Sequence, residues 1–317
     1  MSEQDNWERG VLEKLALSAI QEQRRSRHWS ILFKVLTFAY LFVVLFLFMG
    51  WIGGKSDGAL SGGKHTALIE LNGVIASNSN ANADNLISSL QEAFEDENTV
   101  AIILRINSPG GSPVQAGLVN DEIRRQRGLH PSIPLYVVVE DMCASGGYYI
   151  AAAADKIYVN KASIVGSIGV LMDGFGFTGV MEKLGVERRL MTAGVNKGFM
   201  DPFSPLNPKH EEFTKIMLED IHQQFINVVK QGRGKRLKET PEMFSGLFWT
   251  GDKAIQMGLA DAYGSVDSVA RDVIKVENIV DFTTHEGIAD RLAKKFGAGV
   301  ASAFPGFGAQ VGGITLR

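Results

Sequence analysis

The 317-residue chain has one cysteine, Cys143. An intrachain disulfide and a multi-thiolate zinc site are therefore both excluded, and stability must come from a packed core. Charge of one sign is also missing: 32 Lys and Arg face 35 Asp and Glu, a net charge of −3. Without a basic footprint to neutralise phosphates, nucleic acid is not expected as a partner. HExxH, EF-hand and GxxxxGK[ST] patterns are absent, as is any internal repeat. Glu140 and Asp141 form a lone acidic pair at a strand end, read as an ordering group rather than a metal site. No metal and no cofactor are expected. What the chain does have is 45% hydrophobic residues and 35 glycines. The first supplies a core, and the second implies tight turns and close backbone approaches.

Residues 31–52, ILFKVLTFAYLFVVLFLFMGWI, carry one charge, Lys34, near their start. At about 1.5 Å per residue this run spans a hydrocarbon core of roughly 30 Å, so it reads as a transmembrane anchor in contact with lipid. Arg24, Arg25 and Arg27 precede it and the downstream flank is nearly neutral. The positive-inside rule then puts residues 1–30 in the cytoplasm and the remainder on the extracytoplasmic side of the membrane. A cleaved signal peptide is the competing reading. Against it stand a leading segment near thirty residues, an apolar run beyond the usual length and the want of an A-x-A site. Residues 53–65, which include His65, look like a flexible Gly/Ser/Lys tether, and 66–295 like the folded domain. Residues 296–317 form a Gly/Ala-rich tail with little periodicity, read as mobile.

The domain alternates strand and helix. TALIELNGVI, VAIILRI, PLYVVVE, KIYV and VERRLMT read as strands. Between them ADNLISSLQEAFED places Leu86, Ile87, Leu90 and Phe94 on one helical face, while PVQAGLVNDEIRRQR and SGGYYIAAAA read as further helices. This β–α–β order predicts an α/β fold with a mostly parallel sheet. A long amphipathic helix over 208–231 carries Phe213, Ile216, Met217, Ile221, Phe225 and Val228, and shorter helices follow at 250–257 and 266–273.

Two strand ends break into glycine turns that open helices: Ile106–Gly111 (INSPGG) and Glu140–Tyr148 (EDMCASGGY). Ligands of parallel sheets bind at the carboxyl ends of strands, where helix N-termini present unpaired N–H groups. Ser145 in such a turn reads as a nucleophile or as an ordinary N-cap. None of His28, His65, His130, His210, His222 and His285 sits in a strand-end turn, although a distant histidine could still fold into place as the base; a desolvated lysine is the alternative. The GxGxxG match at Gly174, Gly176 and Gly179, between a possible strand, SIGVLM, and a helix, TGVMEKLG, lacks the acidic residue that a dinucleotide site needs. The Gly232–Arg236 run reads as a basic helix C-cap.

INSPGGS, the run MCASGGYYIAAAADKIYVNKASIVGSIGV and a lysine about fifty residues after the serine resemble the short-form, membrane-anchored signal peptide peptidase A family of Ser–Lys peptidases, over roughly Thr66 to Val280. The resemblance implies a caseinolytic protease/crotonase-like fold of stacked ββα units. It implies catalytic Ser145 and Lys197, with Ser167 orienting the lysine. It also implies an oxyanion hole from Gly110 or Gly111 together with Gly146, and a homo-oligomeric ring whose dyad is shared between neighbours. The implied substrates are signal peptides and similar apolar peptides. Phe199, Met200 and Phe203 flank Lys197 and would exclude water from its amine. Met172, Phe175 and Phe177 are candidates to line the substrate groove, and the tail is a candidate for self-trimming. Two other classes fit the same sequence: a crotonase-like acyl-CoA enzyme and a catalytically silent membrane scaffold.

Overall fold

The structure, a computed structural model, describes residue 24 and residues 27–45 and 63–284. The chain divides into two compact units between residues 59 and 60. In the first, helix α1 (Arg27–Leu45) is 19 residues long, long and apolar enough to cross a membrane, and its side chains are exposed. The expected tail, His285 and the tether up to residue 62 lie outside the described residues.

The second unit is built on an eight-stranded sheet. Strands β1 (His65–Asn72), β2 (Thr99–Ser108) and β3 (Leu135–Ala144) form its centre. β1 and β2 lie side by side in parallel, as do β2 and β3. The outer flank of β1 pairs in parallel with β8 (Ile279–Asp281) through Thr66, Ala67 and Leu68. At β3 the sheet forks. β4 (Lys156–Val159) pairs with Tyr136–Val138, whereas β5 (Ile164–Gly166) pairs with Met142–Ala144. β7 (Ala262–Tyr263) continues beside β4, and β6 (Phe248–Thr250) beside β5 is antiparallel.

Local chemistry accounts for the helices. In α2 (Ala83–Glu95), Asn82 caps the N-terminus by accepting the Asn85 N–H at 2.8 Å, and Leu86, Leu90, Ala93 and Phe94 are buried. α3 (Pro113–Leu129) opens with Ser112 as N-cap and Pro113 in the first turn, where a missing N–H costs nothing. α4 is Gly146–Ala151, α5 Thr178–Lys183, α6 Pro208–Arg233 and α7 Gly251–Met257. α8 (Val266–Ser268) runs into a π-helical turn over Val269–Ile274. One core lies under α2, α3, α4 and α6; a second, with Leu68, Ile103, Val138 and Tyr158, lies under Val269 and Ala270 on the other face. Burial on both faces is why β2 reads as an unbroken apolar run. Ile102, Ile103, Leu104 and Ile106 are fully buried, each contributing about 1.5–3 kcal/mol. This is the mostly parallel α/β sheet expected from the sequence and is consistent with a caseinolytic protease/crotonase-like fold.

Three expectations are corrected. VERRLMT is not a strand: residues 186–192 are exposed coil, with no strand among the described residues paired to them. SIGVLM after β5 is likewise irregular, so the glycines at 174, 176 and 179 do not follow a strand. His65 is not in a tether but starts β1, 3% exposed, stacked on Phe282 with Nε2 3.2 Å from the Thr99 hydroxyl.

Candidate active site

Ser145 follows β3 directly and occupies the N-cap position of α4, with φ 50° and ψ −121°. A non-glycine residue at positive φ costs on the order of 1–3 kcal/mol, so the surroundings must hold it there. They do so through backbone. The Ser145 N–H donates to Gly166 O at 2.8 Å, and its carbonyl accepts from Tyr149 N–H at 2.9 Å. Tyr148, one turn into α4, is fully buried and donates its hydroxyl to Leu259 O at 2.7 Å. The Ser145 side chain makes no capping bond, and the residue is half-buried. A hydroxyl left free on a strained turn at a strand end differs from the ordinary N-cap, whose oxygen is spent on the helix.

Ala144 pairs with Gly166, so the next residues, Ser145 and Ser167, lie at the ends of adjacent parallel strands. Ser167 has φ 50° as well and donates its N–H to Leu247 O at 2.8 Å.

The Pro109–Gly110–Gly111 turn packs against this pair. A Cβ on Gly110 would lie 2.7 Å from both Ser145 Cβ and Gly146 N, and one on Gly146 would lie 3.2 Å from Gly111 N. The two glycine amides differ. Gly110 is buried and its N–H donates to Ser108 Oγ at 3.1 Å, whereas Gly111 is exposed and its N–H donates to no described group. The Gly110 carbonyl accepts from Ile75 N–H at 2.9 Å, and the peptide bonds are trans. In a trans peptide N–H and C=O point in opposite directions, so Gly111 N–H points away from Ile75. Gly146 N–H, at the first position of α4, is also without a partner among the described residues. Two unpaired amides beside a free serine hydroxyl can receive a developing oxyanion.

Ser145, Ser167, Gly110, Gly111 and Gly146 are thus brought together. Lys197 is not: it is exposed, in a turn where its N–H donates to Gly194 O at 3.1 Å, and no hydrogen bond joins it to Ser145 or Ser167. Phe199 packs on His210 and Phe213. The segment around Lys197 is rich in exposed apolar side chains, including Leu171 at 80%, Met191 at 93% and Val195 at 99%. Met172, Phe175 and Phe177 are exposed in the same segment.

Among the described histidines, His222 comes nearest in its contacts, with Nε2 3.2 Å from Ile168 O. A ring nitrogen spent on a carbonyl is a donor there and not a base. Neither His222 nor Ser108 was assigned a role from sequence. His222 reaches the site across 54 residues, a contact no local pattern encodes, whereas Ser108 lies inside the INSPGGS motif itself. Cys143 is fully buried, and burial pushes its thiol well above the ordinary range, so it is no rival nucleophile. A cavity of about 800 Å³ lies at the fork of β3, lined by Arg105, Glu140, Lys161, Tyr263 and Asp267, and includes none of the six site residues. Among the described residues no group of His, Cys, Asp and Glu is arranged to hold a metal.

The model of peptidase family S49 matches residues 128–279. The putative signal peptide peptidase SppA of Enterococcus faecium is 31% identical over 234 residues, covering 70% of this chain and 67% of that protein. The chain belongs to peptidase family S49. Positions 145, 167 and 197 fall within the matched range. Protease 4 of Haemophilus influenzae is 29% identical over 67% of the chain and 33% of its own length. A protein of Brucella melitensis named Na(+)/H(+) antiporter NhaA is 46% identical over 182 residues. These are 57% of this chain but a quarter of that protein's length, so the S49 chain resembles one segment of it.

Proposed function

We propose that this chain is a membrane-anchored serine endopeptidase with a Ser145–Lys197 dyad that degrades cleaved signal peptides and similar apolar peptides. The observation that carries the reading is the uncapped Ser145 hydroxyl on a strained turn beside the unpaired amides of Gly111 and Gly146. Ser145 Oγ attacks the scissile carbonyl carbon while the Lys197 amine takes the hydroxyl proton. Ser167 orients that amine. The carbonyl oxygen becomes an oxyanion held by Gly111 and Gly146 N–H, worth on the order of 3 kcal/mol per donor. Collapse breaks the C–N bond, and the leaving amine takes the proton from Lys197. Water, deprotonated by the same lysine, then hydrolyses the acyl-enzyme. Within this reading Gly110 serves as a packing residue, its N–H being occupied by Ser108.

Because Lys197 makes no bond to Ser145 of its own chain, the base comes from a neighbouring copy in a homo-oligomer. The exposed apolar residues beside it support that reading: Leu184 at 72%, Met191 and Val195 are the surface such an interface would cover. An apolar cover excludes water, and desolvation favours the uncharged amine needed for proton acceptance. Helix α1 anchors the chain, with the N-terminus cytoplasmic by the arginines before it.

The test uses the full chain in detergent and a fluorogenic apolar peptide. Ser145→Ala and Lys197→Ala are each inactive, and mixing the two during assembly restores cleavage. Activity of Lys197→Ala near wild type would overturn the dyad. Cleavage by Ser145→Ala would overturn the nucleophile.

A further inference from the structure

Ser108 takes no part in the chemistry just described, yet it is fully buried and makes two hydrogen bonds at the base of the Pro109–Gly111 turn. Its Oγ donates to Gly73 O at 2.6 Å and accepts Gly110 N–H at 3.1 Å. Resting on the Ser145 reading, we infer that Ser108 is the positioning residue for the oxyanion donor Gly111. The hydroxyl fastens the turn to the loop that leaves β1.

The argument runs through two successive peptide units. Ser108 fixes the direction of the Gly110 N–H, and Ile75 N–H fixes the Gly110 carbonyl from the same loop. With both held, the Gly110–Gly111 peptide plane has one orientation, in which Gly111 N–H points away from Ile75, and Gly111 N lies 3.2 Å from where a Cβ on Gly146 would be. Gly110 at φ 103° and Gly111 at φ 149° have no Cβ to restrict them. The turn therefore has no side chain of its own to choose between this plane and a rotated one. Ile75 N–H holds this plane through the Gly110 carbonyl and Ser108 holds the plane before it, so Gly110 joins two fixed planes and the loss of either anchor frees the turn. A second fastening, Ser112 N–H to Ile75 O at 2.8 Å, acts beyond the plane in question and leaves the Gly110 N–H untouched. Ser108 also lies under the nucleophile turn, since a Cβ on Gly147 would meet Ser108 O at 3.3 Å and Ser108 Cβ at 3.4 Å. One hydroxyl thus ties the oxyanion turn to a fixed loop directly beneath Ser145.

The experiment compares wild type, Ser108→Ala, Ser108→Cys and Ser145→Ala in the full chain, in detergent. It measures kcat and KM on the fluorogenic peptide and the affinity of a peptide aldehyde. The aldehyde carbon bonds to Ser145 Oγ and its oxygen takes the oxyanion place, whereas the matching peptide alcohol binds without doing so. Both Ser108 variants are expected to lower kcat about 10–100-fold with KM within twofold, and to weaken the aldehyde by the same factor while leaving the alcohol unchanged. Ser108→Cys conserves volume but replaces the oxygen by a weak sulfur partner, so it separates space filling from hydrogen bonding. Wild-type kcat and aldehyde affinity in Ser108→Cys would overturn the inference, as would an equal loss of aldehyde and alcohol binding. If Ser145→Ala cleaves as wild type does, the nucleophile reading itself fails, a result distinct from either.

Discussion

Ser145 and Ser167 share an unusual backbone conformation, φ 50°, at the ends of two adjacent parallel strands, and the N–H of Ser145 is bonded to the residue just before Ser167. Two neighbouring non-glycine residues at positive φ oppose folding, and the β3–β5 ladder holds both in place. Ser145→Gly is expected to raise stability by about 1 kcal/mol while abolishing peptide cleavage. Ser145→Ala should lose activity with no such gain. Denaturant unfolding of the three proteins checks the order, and a Ser145→Gly protein less stable than wild type would contradict it.

Gly111 and Gly146 should respond differently to alanine. A Cβ on Gly111 would meet Ile75 O at 2.1 Å at φ 149°, backbone that cannot move aside, so Gly111→Ala is expected to cost about 3 kcal/mol or more. Gly146 lacks a positive φ, and its Cβ would touch Gly111 N at 3.2 Å and Ala116 Cβ at 3.5 Å. Gly146→Ala is therefore expected to fold, at a cost of about 1 kcal/mol. It should nevertheless lose at least tenfold in kcat, because the methyl group covers the Gly111 amide. Thermal unfolding alongside kinetics separates the two outcomes.

A buried ion pair braces the far side of α4. Arg233, 1% exposed, forms a bidentate pair with Asp261 at 2.8 and 2.9 Å, and Asp261 also accepts Ile157 N–H at 2.7 Å. Burial is the largest single influence on the Asp261 carboxyl and pushes it up. The hydrogen bonds and charge of Arg233, with the Ile157 N–H and the charge of Arg236, together outweigh it, and the group ends below its ordinary value of 3.8. A lowered folded value means the stabilisation is fully present above about pH 4 and is lost as pH falls through the folded value. Asp261→Asn, which strands a buried guanidinium, is expected to cost about 3–5 kcal/mol at neutral pH. It should also flatten the acid limb of the stability–pH curve, read by denaturant unfolding at several pH values.

Thiol chemistry should be silent. Cys143 lies two residues before Ser145, but it is fully buried with its thiol held protonated. Iodoacetamide applied to the native protein is expected to leave activity unchanged, while a serine-directed phosphonate labels Ser145. Inactivation accompanied by mass added at Cys143 would reverse the assignment.

Much of this was legible in the sequence for physical reasons. β2 and α2 announce themselves because a two-sided buried strand is continuously apolar and a one-sided helix is periodic. INSPGG and ASGG stood out because glycine turns at strand ends are where amides are left unpaired. VERRLMT misled because the β–α–β rhythm implies a strand only where a partner strand is at hand, and among the described residues none pairs with 186–192. His65 misled in the opposite direction: its burial is created by Thr99 and by Phe282, which lies more than 200 residues away in sequence. The role inferred for Ser108 depends on Gly73 and Gly110 meeting across two loops, which no local pattern records.

The outer flank of β1 is closed by the last described part of the chain. Thr66 donates its N–H to Asn278 O and its hydroxyl to Val276 O, and Glu70 N–H reaches the Thr283 hydroxyl. The partners of Thr66 in the second of these bonds are 210 residues apart. A ribosome adding about 5–20 residues per second leaves that flank open for on the order of 10–40 s after β1 is made. During that interval a strand carrying Ala67, Leu68, Ile69 and Leu71 has one row of backbone groups available to any other chain, including a sibling being made nearby. Vectorial synthesis thus leaves β1 open to mispairing, and β8, the last described strand to arrive, ends the exposure.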